Sequence, residues 1–263
     1  MAKRKHQASG KRGKRPSSGP LGDKWLYGAH PVLAALANPE RSFGRFLMTS
    51  EAHERLRREL PTGAPTPKLV ERSEIERTLP PGAVHQGIAL EAEPLPPADL
   101  DVLLSGLDAA ERALIVVLDQ VTDPQNAGAI LRVAAAFGAA ALVTTERQSP
   151  PVSGAFAKAA AGAVETVPIV RVGNLARALE TLQSHGFWSV GLDGHAPAAI
   201  GETDAGNKVA LVMGAEGAGL RRLTSERCDM LARIPITPAV ESLNVATAAA
   251  IALYELTRGV VHN

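Results

Sequence analysis

The sequence has few of the features that mark membrane, secreted and metal-stabilised proteins. It contains one cysteine, Cys228, which excludes an internal disulfide framework and a zinc site built from several cysteines. No apolar run approaches the roughly 18 residues that a membrane-spanning helix needs. Only nine of the 263 residues are aromatic, so Ala, Leu, Val and Ile must fill the core. We therefore expect a cytoplasmic protein without a bound metal.

Acidic residues are absent from the first 20 positions, although the whole chain has a net charge of only +1. The basic residues of that stretch are Lys3, Arg4, Lys5, Lys11, Arg12, Lys14 and Arg15. The rest of the chain holds 21 basic and 27 acidic residues, a net charge of −6. A stretch this polar buries too little apolar surface to offset the entropy of folding. We predict a disordered basic tail over residues 1–22. It either binds the phosphate backbone of a nucleic acid through counterion release or only keeps the chain soluble.

The pattern from residue 23 to residue 93 mixes helices and strands. We predict an apolar helix around residues 32–36, a strand at Phe43–Met48, a charged helix at 52–60 and a closing strand at 84–90. Three prolines and several acids then follow, which is typical of a segment between domains. The sequence therefore predicts a small α+β domain over residues 23–93 and a linker over 94–110.

Strands alternate with helices from residue 111 to residue 263. The strands are continuous apolar runs, which indicates a parallel sheet covered on both faces and an α/β fold. In such sheets, ligands bind beyond the carboxyl ends of the strands. The predicted strands are 113–119, 141–145, 167–172, 188–193, 209–214 and 231–236, and the predicted helices are 127–137, 154–161, 175–185, 220–228 and 243–258.

The loop after the first of these strands carries the pattern D-x-V-x-D-P-x-N-x-G-A-I-x-R over residues 119–132. A dinucleotide-binding sheet has G-x-G-x-x-G at this place, so the pattern argues against a Rossmann dehydrogenase. Asn126 is predicted as the N-cap of the following helix. Arg132 lies about 150° around that helix from the centre of its apolar stripe. Its side chain is therefore either a solvated surface group or a functional one.

A second loop, Gly214 to Leu220, follows an apolar strand and contains three glycines and one carboxylate, Glu216. Glycines permit positive φ and let a ligand approach the backbone closely. Many ordinary strand-to-helix turns have the same composition, so this loop alone does not identify a site.

The third segment, residues 234–246, runs into a C-terminal helix rich in alanine. Ser242 is predicted as the N-cap of that helix, and Asn244 is placed in its first turn. Small residues let backbones approach closely, but an ordinary amphipathic helix explains the same pattern.

Together and in this order, the three segments closely resemble the SpoU (TrmH-type) class of the SPOUT superfamily, which are S-adenosylmethionine-dependent RNA ribose 2′-O-methyltransferases. The N-terminal part resembles that family's substrate-binding domain, through Tyr-Gly-x-His at 27–30 and Val-His-Gln-Gly-Ile at 84–88. This pairing is similar to the branch that modifies a guanosine of 23S ribosomal RNA.

The resemblance implies a deep trefoil knot in the C-terminal domain, S-adenosylmethionine bound at the knot, and a homodimer. It assigns backbone contacts with the cofactor to Gly214, Ile234 and Leu243. It also implies that Arg132 is the principal catalytic residue and that Asn126, Glu216, Ser242 and Asn244 surround it, with Glu216 orienting either Arg132 or Asn126. Two alternatives stay open: a transfer-RNA ribose methyltransferase of the same superfamily, and a non-catalytic RNA-binding factor of ribosome assembly.

Overall fold

The computed structural model describes residues 24–258, and they form one four-stranded sheet and one seven-stranded sheet. The basic tail predicted over 1–22 lies outside the described residues. Among the described helices, none combines the length and the apolar character needed to cross a membrane.

The smaller sheet belongs to the N-terminal part of the chain and has the strand order β1-β4-β2-β3, parallel only between β2 and β3. Its strand at Phe43–Met48 has the predicted bounds. The closing strand begins at Ile88 rather than at 84, because Gln86 and Gly87 turn the chain with φ of 57° and 80°. The elements of this part are β1 Trp25–Tyr27, α1 Ala29–Ala37, β2 Phe43–Met48, α2 Ser50–Leu56, β3 Lys68–Leu69, α3 Arg72–Thr78 and β4 Ile88–Ala92.

The larger sheet has the strand order β7-β6-β5-β10-β8-β11-β9, and every neighbouring pair is parallel. The elements of this part are α4 Leu100–Leu107, β5 Ala113–Leu118, α5 Pro124–Ala136, β6 Ala141–Thr145, α6 Gly154–Ala160, β7 Ile169–Val172, α7 Leu175–Ser184, β8 Trp188–Leu192, β9 Ala198–Ala199, β10 Lys208–Met213, α8 Arg222–Arg227, β11 Met230–Arg233 and α9 Val245–Thr257.

Alternate residues of the central strand β5 enter two separate cores, as the pleat of a strand requires. Val116 and Leu118 pack on one face, and Ile115 and Val117 pack on the other. Because both faces are covered, the strands can be apolar throughout. The prediction of a parallel sheet in an α/β domain is confirmed.

The segment 94–110, predicted as a linker, contains the helix α4. Asp99 caps this helix by accepting a hydrogen bond from the backbone N–H of Val102 at 3.0 Å. Leu104 is fully buried in the core on the second face of the large sheet. Residues 100–107 of the predicted linker therefore form a helix that packs on the large sheet. The prolines end before Asp99, and the leucines that follow them recur at helical spacing. The prolines led to the whole segment being interpreted as a linker.

The order of the large sheet brings the three sequence motifs to one edge. Strand β8 lies between β10 and β11, which both come later in the chain, so the C-terminal segment lies on both sides of an earlier strand. Since β5, β10 and β11 run in the same direction, the loops that follow them leave the sheet at the same edge.

The two sheets meet at a junction formed by helix α6, the 3₁₀ turn Ala163–Glu165 after it and the edge of the small sheet. Arg41 and Glu165 form an ion pair there, with Nη2 to Oε1 at 2.8 Å and Nε to Oε2 at 3.0 Å, and their side chains are only 4% and 6% exposed. Asn38 donates to the same carboxylate at 2.8 Å. Gly154 packs so closely on the carbonyl of Trp25 that a Cβ would not fit. The ion pair at the junction is therefore almost fully shielded from solvent.

Both motifs of the small domain also lie at this junction. Gln86 accepts hydrogen bonds from the backbone N–H of Ala29 at 3.1 Å and from Lys158 Nζ at 2.8 Å. Gly28, with a φ of 89°, donates to the carbonyl of Ile88 at 3.3 Å, and the Lys158 side chain fills the space where a Cβ would stand. Tyr-Gly-x-His and Val-His-Gln-Gly-Ile therefore fasten the small sheet to α6.

Candidate active site at the carboxyl edge of the large sheet

Helix α5 begins earlier than predicted, and its cap is Asp123. The Asp123 carboxylate accepts from the backbone N–H groups of Gln125 at 3.3 Å and Asn126 at 3.1 Å. Pro124 occupies the first helical position, where its missing N–H costs nothing and its fixed φ suits the helix. The prediction of Asn126 as the N-cap is therefore wrong, and the Asn126 side chain is free for other partners.

Helix α9 is capped by Asn244, two residues after the predicted cap. Its Oδ1 accepts from the backbone N–H groups of Ala246 at 2.9 Å and Thr247 at 3.4 Å. Ser242 is exposed and precedes the helix start, so the prediction that Ser242 is the cap is wrong. A serine and an asparagine two positions apart both suit a cap, and the sequence did not distinguish them.

Three of the predicted site residues form one continuous hydrogen-bonded chain. Asn126 Nδ2 donates to Glu216 Oε2 at 3.2 Å, and Asn244 Nδ2 donates to Asn126 Oδ1 at 3.0 Å. These pairs are 90 and 118 residues apart in sequence, so the fold alone brings them together. Asn126 thus has one partner on each side, which fixes the orientation of its amide.

Arg132 lies on the exposed face of α5, as predicted. Within residues 24–258 its side chain makes neither an ion pair nor a hydrogen bond to protein. Of the two residues that Glu216 was expected to orient as alternatives, it bonds Asn126 and not Arg132. We call Asn126, Arg132, Glu216 and Asn244 the polar rim. Ser242 makes no hydrogen bond to any of these four.

The glycine loop, residues 214–220, is closed by its own backbone. Ala215 and Gly219 exchange hydrogen bonds of 2.9 and 3.1 Å. Gly214 lies so close to the backbone of Gly219 and Leu220 that a Cβ would overlap them. A Cβ at Gly217 or Gly219 would instead meet nothing within 4 Å. The loop is therefore packed tightly at its base and open on its outer side.

An ion pair at the base of this loop was not predicted. Asp119 follows β5 directly and is fully buried, and its Oδ1 accepts from Arg221 Nε at 2.6 Å. Its Oδ2 accepts from the backbone N–H of Arg221 at 3.0 Å. The two residues are 102 positions apart. The one available signal was a carboxylate that directly follows an apolar strand.

The segment between β11 and α9, residues 234–243, contains no helix or strand. It also makes no hydrogen bond to the rest of the described chain. Ile234 and Leu243 are half-buried at its two ends, and Gly214 is buried at the base of the glycine loop. The three predicted cofactor residues thus offer unpaired backbone groups, apolar side chains and a close backbone approach. These features suit a nucleoside rather than a metal ion, and no cluster of metal-ligating side chains occurs in the described part of the chain.

Cys228 is unsuited to nucleophilic chemistry. Burial raises the pKa of its thiol to about 12, and the nearby carboxylates of Asp229 and Asp119 act in the same direction. The group is therefore a neutral thiol at physiological pH, and its Sγ bonds the carbonyl of Thr224 at 3.3 Å.

Comparisons with known families decide the identity of this arrangement. The SpoU rRNA methylase family matches residues 113–254, and a family described as RNA 2′-O ribose methyltransferase substrate binding matches residues 25–98. The chain belongs to the SpoU rRNA methylase family. A relative from Coxiella burnetii, named 23S rRNA (guanosine-2′-O-)-methyltransferase RlmB, is 41% identical over 238 residues, which are 89% of this chain and 95% of the relative.

Solved structures of SpoU proteins confirm the predicted fold class. The methyltransferase AviRb from Streptomyces viridochromogenes, in complex with AdoMet, has a TM-score of 0.73 at 25% identity, and the match covers 92% of each chain. A structure concerning 2-OH methylation of C/U34 on tRNA has a TM-score of 0.53 at 28% identity. That match covers all of the other chain but only 59% of this one. This SpoU chain therefore has a large part without a counterpart in the tRNA protein.

Proposed function

We propose that this SpoU chain transfers the methyl group of S-adenosylmethionine to the ribose 2′-hydroxyl of a guanosine in 23S ribosomal RNA. The observation that carries the proposal is the convergence of Asn126, Glu216 and Asn244, from three separate motifs, at the start of the helix that also carries the exposed cation of Arg132. The relatives named for this activity match almost the whole chain, including its small N-terminal domain.

Arg132 has the properties of a group that grips RNA. A guanidinium binds a phosphate through two parallel hydrogen bonds, and Arg132 is exposed without a protein partner among the described residues. Guanidinium is effectively never deprotonated in proteins, so Arg132 does not act as the base. It stabilises the alkoxide that develops on the ribose oxygen, and the gripped phosphate or a neighbouring group accepts the proton.

In this proposal the glycine loop and the segment 234–243 would hold S-adenosylmethionine between them. Gly214, Ile234 and Leu243 would contact its adenosine part through backbone groups, and the bound cofactor would supply an electrophilic methyl group. Asn126 and Asn244 fix the two helix starts that border this space, because each is bonded to the other. Correct placement of the ribose oxygen in line with the methyl group then accounts for much of the acceleration.

Substitution of Arg132 tests the catalytic part of the proposal. We expect Arg132→Ala to lower kcat by about 10²- to 10³-fold, the usual cost of losing one group that stabilises a developing oxyanion. Arg132→Lys keeps the charge but loses the planar fork, and we expect it to be strongly impaired too. The assay is transfer of tritiated methyl groups to undermethylated ribosomal RNA. Arg177→Lys, at another exposed helical arginine, in the first turn of α7, is the control.

Two results would contradict this part. Near-wild-type transfer by Arg132→Lys would exclude the bidentate grip. No transfer by the unmodified protein would instead favour a non-catalytic assembly factor.

The identity of the RNA needs a separate experiment. Mapping of 2′-O-methyl marks in a strain that lacks this protein should show one guanosine of 23S RNA without its methyl group. Loss of a mark in transfer RNA would overturn the substrate assignment. The relatives named for 23S rRNA match almost the whole chain, whereas the match with the tRNA protein covers only 59% of it, and this difference supports the ribosomal substrate. An enzyme with this substrate works in the cytoplasm.

We also propose that the chain acts as a homodimer. Ile236, Val240 and Tyr254, on the segment and helix that follow β11, are 42%, 53% and 57% exposed. Large apolar side chains exposed near a site often mark an interaction surface. Light scattering should give twice the chain mass of 27.5 kDa, and Tyr254→Arg should shift the mass towards the monomer. A monomeric wild-type protein would exclude the dimer.

The basic tail over residues 1–22 is proposed to increase RNA affinity without contributing to the site. Its removal should weaken RNA binding and flatten the dependence of log K on log salt, because fewer counterions are then released. Cofactor binding should not change. An unchanged salt slope would show that the tail does not contact RNA.

A further inference from the structure

Asp119 connects both ends of the glycine loop to strand β5. Its backbone N–H donates to the carbonyl of Met213, just before the loop, at 2.8 Å. Its carboxylate accepts two hydrogen bonds from Arg221, just after the loop. A buried carboxylate is strongly disfavoured unless it is paired and hydrogen-bonded, so this arrangement has little freedom to relax.

The two side chains of the ion pair differ in exposure, and this difference suits a role in holding the loop rather than in binding a ligand. The Asp119 side chain is 0% exposed, whereas the Arg221 side chain is 43% exposed. The buried carboxylate thus cannot contact a ligand on the outer, open side of the loop. The loop in turn carries Glu216, which bonds Asn126, so its position also affects the polar rim.

We propose that Asp119 and Arg221 are positioning residues that hold the glycine loop in the shape that receives S-adenosylmethionine. Asp119 acts through its hydrogen bonds to the two ends of the loop and does not contact the cofactor itself. This inference rests on the proposed placement of the cofactor against Gly214. With the ion pair removed, the loop is disordered before binding, and its order must be regained when the cofactor binds.

The test is the neutral double variant Asp119→Asn/Arg221→Gln, which removes both charges without leaving one buried alone. We expect its dissociation constant for S-adenosylmethionine, measured by calorimetry, to rise about tenfold. The KM for the cofactor should rise likewise, while the KM for RNA stays within about twofold of wild type. A role confined to stability would lower the melting temperature without this split between the two KM values.

Two further variants keep the test decisive. Arg221→Lys retains the charge and the backbone hydrogen bond and should recover part of the affinity. Arg222→Gln, at the neighbouring arginine whose side chain is 74% exposed, should bind the cofactor like wild type. Should the double variant fail to fold, the cofactor affinity of Arg221→Lys decides, and a value equal to wild type overturns the inference.

A folded double variant with wild-type affinity would likewise overturn the inference and leave the proposed function intact. Absence of cofactor binding by the wild-type protein would instead refute the proposed function.

Discussion

The junction and the polar rim use the same kinds of side chain in opposite surroundings. At the junction, Arg41 and Glu165 are almost fully buried and satisfy one another. At the rim, Arg132 and Glu216 are exposed, and Arg132 has no protein partner among the described residues. A buried arginine that is paired with a carboxylate holds two parts of the chain together. An exposed arginine without a protein partner can instead bind a phosphate. The difference indicates that stability and chemistry are assigned to separate regions.

The largest effect should follow from breaking the junction. Glu165→Ala leaves Arg41 buried without its counter-charge, and we expect the free energy of unfolding to fall by about 3–5 kcal/mol. Urea denaturation followed by circular dichroism measures this change. The matched control is Glu226→Ala on α8, which breaks an exposed pair with Arg222 and should alter the unfolding free energy by less than about 0.5 kcal/mol. Equal effects of the two variants would contradict the distinction between buried and exposed pairs.

Sequence patterns predicted the large sheet well and the junction poorly, and the reason is physical. A strand buried on both faces must be apolar throughout, so Ala141–Thr145 could be recognised from its own residues. The partners Arg41 and Glu165 are 124 residues apart, and no local pattern connects them. Two charged residues become a buried pair only when the fold removes water from both.

In the polar rim, too, some features could be predicted from local sequence and others could not. The motifs identified Asn126, Glu216 and Asn244, but the two helix caps were assigned to residues three and two positions away from the observed caps. A cap depends on which of several suitable side chains reaches the first free N–H groups, and a shift of two or three residues decides it. The ion pair between Asp119 and Arg221 was not predicted, because it forms only where β5 and β10 lie side by side in the sheet.

A smaller loss of stability should follow from forcing apart α5, which carries Arg132, and α6, which belongs to the junction. Gly128 on α5, the helix that carries Arg132, packs against α6 of the junction. An added methyl group would overlap the backbone carbonyl oxygen of Phe156 and would lie 2.9 Å from Ala159 Cβ. We expect Gly128→Ala to lower the unfolding free energy by about 1–2 kcal/mol, because overpacking outweighs the better helix propensity of alanine. Methyl transfer should fall as well, since α5 moves.

Gly106 offers a control of the same chemistry. It lies in helix α4, and an added Cβ there would meet nothing within 4 Å. Gly106→Ala should therefore raise the unfolding free energy by about 0.5–1 kcal/mol through propensity alone. Destabilisation by both variants would show that loss of glycine itself, and not the contact with α6, is the cause.

The smallest effect on stability should come from the rim, where a large effect on activity is expected. Asn244→Asp keeps an oxygen that can cap α9, so the unfolding free energy should change by less than about 0.5 kcal/mol. The variant loses the Nδ2 donor to Asn126 and places a second carboxylate near Glu216. We expect methyl transfer to fall about tenfold or more, because the Asn126 amide is no longer fixed. Asn244→Ala, which also loses the cap, should lower stability by about 1 kcal/mol. If Asn244→Asp retained full activity, Asn244 would serve only as a helix cap, and the rim would not be the part of the molecule reserved for chemistry.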